Sequence, residues 1–187
     1  MFRRLDFERR YLLGRPPWDT GITPPEVMAW LEPRKPGRAL DLGCGTGTNA
    51  LTMARLGWQV TAVDLSWLAV RAARSKARAA GVPIDVRQAD ASRLEGIVGL
   101  FDLALDIGCF HSLEPATRAV YARRLSELLR PGAGFMLFSF LFSPPGRVWP
   151  TQAEIEAAFD GSFVLRRLER GTEADRPSGY FTWERTG

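Results

Sequence analysis

From Arg38 onward the chain alternates between short, nearly unbroken apolar runs and longer stretches in which apolar residues recur every third or fourth position. The first pattern predicts buried strands, the second helices packed on one face. Strands are expected at Arg38 to Leu42, Gln59 to Val63, Ile84 to Gln88, Phe101 to Asp106 and Gly134 to Leu141. Helices are expected at Thr48 to Leu56, at Ser66 to Ala80 with Gly81 as its C-terminal stop, and at Pro115 to Leu129, stopped by Pro131-Gly132. Strand and helix in alternation predict a parallel sheet covered on both faces. The tail breaks that rhythm. A helix at Gln152 to Phe159 is followed by two strands, Phe163 to Arg170 and Gly179 to Glu184, joined by a polar loop from Gly171 to Pro177. The result is a doubly wound, mostly parallel α/β sheet with an antiparallel edge.

The first 37 residues read differently. Phe2 to Leu13 has helical character. Gly14 to Gly21 is rich in turn residues and reads as an ordered loop anchored by Trp18. In Thr23-Pro-Pro-Glu26, Thr23 is a good helix cap, proline suits the first turn, and Glu26 stands where a capping box needs it. That helix is expected to reach about Leu31 and to end at Pro33 and Pro36-Gly37.

Composition narrows the class. With 187 residues, 45% hydrophobic and 25% charged, the chain reads as one domain, 1–187, with a real core. The apolar stretch Phe135 to Phe142 is interrupted by Ser139 and is too short to span a bilayer. The charged N-terminus lacks an apolar core of signal-peptide length, so a cytoplasmic location is expected. Two cysteines, Cys44 and Cys109, and one histidine, His111, give no metal-ligand spacing, so no metal is expected. A net charge of +4 raises the question of nucleic acid. The densest positive run, Arg71, Arg74, Lys76 and Arg78 among alanines, has the character of a solvated helix face rather than a phosphate track. The charge is otherwise spread, which argues against a nucleic-acid partner.

The candidate chemistry lies at the strand ends. Gly43, Gly45 and Gly47 form a turn between a strand and a helix, the arrangement that lets a ligand approach backbone closely. Alone it also fits a dinucleotide pattern, Gly45-x-Gly47-x-x-Ala50. Asp41, just ahead of the glycines, would repel a pyrophosphate but suits a ligand carrying an ammonium and a sulfonium. Asp64, followed by Leu65, ends the next strand, where a carboxylate accepts from ribose hydroxyls of either ligand. Asp90-Ala91 ends the third, where a carboxylate accepts from an adenine amino group.

With these residues in register the sequence resembles the class I S-adenosylmethionine-dependent methyltransferases. Asp41-Leu-Gly-Cys-Gly-Thr-Gly47 is similar to their first motif, Asp64 to their ribose acid and Asp90-Ala91 to their adenine-side motif. Phe101-Asp102-Leu-Ala-Leu-Asp106 is similar to their fourth-strand motif and Leu128-Leu-Arg-Pro-Gly132 to the turn before their fifth strand. The resemblance covers residues 38 to 187, the cofactor-binding core. It implies a Rossmann-like sheet of order 3-2-1-4-5-7-6 with strand 7 antiparallel, S-adenosylmethionine as cofactor and S-adenosylhomocysteine as product.

Pro16-Pro-Trp18-Asp19-Thr-Gly21 resembles the loop ahead of the first motif in small thiol, halide and thiopurine methyltransferases and in the tellurite-resistance type. This implies that residues 1–37 form a helical lid segment in which Trp18 closes over the cofactor, with anchoring of the N-terminus as the alternative. Ile107 to Pro115 is similar to the loop of the same enzymes where an acceptor meets the methyl group, and an Asn/Asp-Pro-Pro-Tyr motif is absent. The expected catalytic residues are His111, as base or orienter, and Asp106, which also borders the cofactor. A histidine capping the following helix is the alternative role for His111. Cys109, Phe110, His111, Trp18 and Trp149 are expected around the acceptor, with Trp149 in the proline-bounded loop Ser143 to Pro150. The implied partner is a small-molecule acceptor, a thiol or similarly soft nucleophile.

Overall fold

The computed structural model describes residues 2–14, 16–143 and 148–187. In chain order the elements are α1 (Phe2–Leu12), α2 (Pro25–Leu31), β1 (Arg38–Leu42), α3 (Thr48–Arg55), β2 (Gln59–Asp64), α4 (Trp67–Ala80), β3 (Ile84–Gln88) and β4 (Phe101–Ile107). There follow a 3-10 turn (Phe110–Ser112), α5 (Pro115–Leu128), β5 (Leu129–Phe140), α6 (Gln152–Phe159), β6 (Phe163–Glu173) and β7 (Arg176–Arg185). The strands form one sheet in the order β3-β2-β1-β4-β5-β7-β6, with β7 antiparallel to both neighbours. This is the doubly wound topology expected from the sequence. No helix among the described residues is long and apolar enough to cross a membrane.

Backbone contacts divide the chain into two compact units, Met1–Asp90 and Ala91–Gly187. In the first, β1, β2 and β3 are parallel, and Leu42, Val63 and Arg87 stand in one row. The turns that follow the three strands therefore leave the sheet side by side. The helices bury small residues, Ala50 of α3 and Ala69, Ala73 and Ala77 of α4, which allow close packing, and the strands bury Leu40, Leu42, Ala62 and Val63. Ser66 caps α4 by accepting from the Ala69 amide, and Gly81 ends it in the left-handed conformation.

In the second unit, Phe159 on α6 is the hub of an aromatic core. Its ring lies 5.2 Å from Phe110, 5.2 Å from Phe135, 5.6 Å from Phe163 and 5.5 Å from Trp183. Edge-to-face and tilted pairs of this kind add to the stabilisation from burial alone.

Three local expectations are corrected. The capping box ahead of α2 does not form: Pro24 is the cap residue, and the Thr23 hydroxyl instead meets that of Thr52 on α3 at 2.7 Å. The break at Pro131-Gly132 is a bulge within β5. Phe101 pairs with Leu129 and Leu103 with Gly134, so the strand carries extra residues through the irregularity. The polar loop expected from Gly171 to Pro177 is mostly strand. Glu173 pairs with Arg176 across a two-residue turn in which Ala174 and Asp175 both have positive φ, 49° and 58°, the geometry of a tight hairpin. The sequence hid this turn because neither residue is glycine or asparagine. A further bulge, at Arg166, interrupts β6 between Leu165 and Arg167.

Candidate functional site

The three strand-end turns of the first unit carry the residues singled out by sequence. Asp41, in β1 just ahead of the glycine turn, is buried. Gly45 and Gly47 hold positive φ angles of 53° and 84°. A Cβ on Gly47 would stand 2.9 Å from the Ala73 Cβ of α4, so the absence of a side chain lets α3 start directly against α4. Gly47→Ala is expected to lower stability by about 1–2 kcal/mol, from a strained dihedral and a forced contact. Urea unfolding at matched m-values measures it, and an unchanged midpoint would show that the turn yields freely.

Asp64 ties two of these turns together. Its Oδ2 accepts from the Gly45 amide and its Oδ1 from the Ser66 amide, both at 2.8 Å. Burial pushes its pKa above the usual carboxylate range, opposed by the Ser66 and Gly45 amides and reinforced by the charge of Glu8. Leu65 accepts from the Gln88 side chain at 3.1 Å, linking the turn after β2 to the end of β3. Asp90 is exposed at the end of this unit, and Ala91, buried, opens the next.

The N-terminal segment lies on these turns, and here sequence reasoning missed two residues. Glu8 of α1 accepts from the Ser66 hydroxyl at 2.9 Å and from the Trp67 amide at 2.7 Å, at the start of α4. Tyr11, three residues on, rests on the glycine turn: its hydroxyl is 3.0 Å from where a Cβ of Gly45 would be. Burial, with the nearby Asp64 charge, pushes the Tyr11 phenol well above its usual range. Trp18 is 46% exposed and reaches the segment's own helix. Its indole donates to the Tyr11 hydroxyl at 3.2 Å, its ring meets Phe7 edge-on at 6.1 Å, and Arg10 lies over it at 5.4 Å. Asp19 accepts at 2.8 Å from the Thr46 hydroxyl, which in turn accepts from Lys76. Of the basic run on α4, Arg71, Arg74 and Arg78 are exposed, as expected for a solvated face, whereas Lys76 turns inward to this network. The only sequence signal for Glu8 and Tyr11 was their spacing on one face of a charged helix.

In the second unit the loop after β4 is held by Asp106, which is wholly buried. Its carboxylate accepts from the Cys109 amide at 2.7 Å, the Phe110 amide at 3.1 Å and the Tyr121 hydroxyl at 2.6 Å. Burial pushes its pKa up to about 6, against the lowering effect of those donors. Asp106 thereby fixes the loop that follows β4. Phe110, expected near the acceptor, is a core residue packed on Tyr121 and Phe159, because the 3-10 turn directs it inward. Cys109 is half-buried. His111 does not cap α5, whose cap residue is Glu114. Its ring lies 4.8 Å from Trp149 and 5.4 Å from Phe140, and those two rings stack on each other at 5.0 Å. The structure thus brings His111 and Trp149 together in an aromatic group. Arg118, buried on α5, donates to the Val148 carbonyl and anchors the segment that carries Trp149. Residues 144–147 of the proline-bounded loop, and Arg15 of the loop before Trp18, lie outside the described residues.

Chemically, the first unit offers backbone without side chains at the glycine turn and carboxylates around it, from Asp41, Asp64 and Glu8. That set fits a cationic ligand with a diol better than a pyrophosphate. The second unit offers aromatic walls and one imidazole.

Comparison with known proteins agrees. A family model described as a methyltransferase domain matches residues 39–132. A 2-heptyl-1-hydroxyquinolin-4(1H)-one methyltransferase of Mycobacteroides abscessus is 33% identical over 133 residues, which are 69% of this chain and 58% of that protein. A probable thiol methyltransferase of Arabidopsis thaliana is 31% identical over 140 residues, 72% of this chain and 61% of that protein. The chain therefore spans less than two thirds of the length of these curated relatives. The crystal structure of the Burkholderia thailandensis 1,6-didemethyltoxoflavin-N1-methyltransferase, with 1,6-didemethyltoxoflavin and S-adenosylhomocysteine bound, superposes with a TM-score of 0.81. The identity is 27%, and the match covers 99% of this chain and 88% of that one.

Proposed function

Because this chain belongs to the class I S-adenosylmethionine-dependent methyltransferases, we propose that it methylates a small molecule whose acceptor atom is a thiol or similarly soft nucleophile. The observation that carries the choice of acceptor is the sequestration of Asp106. Asp106, near the end of β4, spends its carboxylate on two amides and the Tyr121 hydroxyl, and Tyr121 is held protonated by burial and by the Asp106 charge. A hydroxyl acceptor needs a base to remove its proton, whereas a thiol needs little help. The relation to a probable thiol methyltransferase supports the same reading.

S-adenosylmethionine, when bound, supplies an electrophilic methyl group. The protein's own contribution to an in-line displacement is alignment and exclusion of water. In this reading Asp64 and Leu65 hold the ribose side, and Asp41, Gly43, Gly45 and Gly47 hold the amino-acid side. Asp90 and Ala91 take the adenine side, and Trp18 belongs to the lid. His111, kept in place by Phe140 and Trp149, orients the acceptor, with Cys109 beside it. Asp106 positions that loop.

Incubation with methyl-labelled cofactor and a panel of thiols, halides, phenols and amines tests this. Label is expected on thiols first. Transfer confined to RNA or protein, or cofactor binding without transfer to any class, would overturn it.

A further inference from the structure

We propose that Glu8 is a positioning residue for the methyl donor, clamping α1 onto the turn that carries Asp64. The inference rests on the reading that this turn belongs to the donor's site. Glu8 Oε1 accepts from the Trp67 amide at 2.7 Å. Its Oε2 accepts from the Ser66 hydroxyl at 2.9 Å and from the Leu68 amide at 3.4 Å. The Ser66 hydroxyl accepts in turn from the Ala69 amide at 3.2 Å. The first three amides of α4 are thus satisfied, two of them by a carboxylate delivered from a distant helix. A negative charge there also meets the positive end of the helix dipole.

The same hydrogen bonds continue into the site. Ser66 donates its amide to Asp64 Oδ1, and Asp64 Oδ2 accepts from Gly45. Gly45 is the residue on which Tyr11 of α1 rests. One face of α1 therefore supports the Asp64 carboxylate from both sides, through Glu8 at Ser66 and through Tyr11 at Gly45. The segment that follows has separate ties, Asp19 to Thr46 and Thr23 to Thr52. Removing Glu8 loosens α1 over the donor turns while leaving that loop attached. The donor is then held less tightly and leaves faster, and the chemistry on the acceptor side is not touched.

The test uses the full chain with Glu8→Ala and Glu8→Gln. S-adenosylhomocysteine titration by calorimetry, steady-state kinetics and trypsin cleavage at Arg9 and Arg10 are measured together, with thermal unfolding as a check on folding. For Glu8→Ala, a dissociation constant and donor KM raised about tenfold are expected, with a much smaller change in kcat and in acceptor KM. Glu8→Gln, which keeps one accepting oxygen, is expected to fall between wild type and Glu8→Ala. Cleavage at Arg9 and Arg10 should quicken in Glu8→Ala, and S-adenosylhomocysteine should protect the wild type more than the variant. An unchanged dissociation constant in a folded Glu8→Ala protein overturns the proposal, as does a tighter one, which would make α1 an obstruction. Failure of the wild type to bind S-adenosylhomocysteine would instead overturn the assignment of the donor site.

Discussion

Replacing Asp106 with alanine is expected to lower the stability of the folded chain by about 4 kcal/mol at pH 5. The substitution leaves two buried amides, of Cys109 and Phe110, and the Tyr121 hydroxyl without their acceptor, and each such loss costs about 1–3 kcal/mol. Urea unfolding measures it. The pH dependence is the sharper check. Burial holds the Asp106 pKa at about 6 in the folded chain, against about 3.9 in an unfolded one. The folded state therefore keeps the proton more firmly. The stability this contributes is fully present below pH ~4 and is lost as pH rises through about 6, a decline of roughly 3 kcal/mol. Asp106→Asn has no such proton to lose. The gap between wild type and Asp106→Asn should accordingly shrink as pH rises from about 4 to 7. Parallel stability curves for the two proteins would refute the assignment of this slope to Asp106.

Asp64→Ala should weaken S-adenosylhomocysteine binding by about 1–3 kcal/mol, roughly 5- to 150-fold in dissociation constant. Two losses combine in that figure. One is the acceptor proposed for the ribose. The other is the clamp on Gly45 and Ser66, whose amides both end on this carboxylate. Hydrogen exchange of the ligand-free protein separates them: faster exchange at the Gly45 and Ser66 amides in the variant marks the clamp. Unaltered affinity by calorimetry would show that the ribose site lies elsewhere.

The sheet was legible in the sequence because buried parallel strands read as apolar runs and their ends are punctuated by Asp41, Asp64 and Asp106. The hairpin turn at Ala174-Asp175 was not, since positive φ in an alanine has no compositional signal. At the candidate site, the turn at the glycines and the strand-end position of Asp64 were evident from residue type and order. Glu8 and Tyr11 were not, because their partners, Ser66, Trp67 and Gly45, are remote in sequence and belong to helix and turn ends whose need for a capping group appears only in three dimensions. Asp106 shows the converse. Its place at a strand end is plain in one dimension, whereas its hydrogen bond to Tyr121 emerges only when α5 is packed beside β4.

The bulge at Arg166 has a consequence for how copies of this chain can meet. Strand β6 ends the sheet, and an unprotected border strand is a template on which another chain can add. Here the border is kinked at Arg166, which turns to Glu184 of β7, and the adjoining stretch presents Arg167 and Glu169 joined to each other. A strand approaching from outside meets interrupted pairing and a fence of fixed charges. Bulges and charges on a border strand are features that disfavour the addition of a further strand.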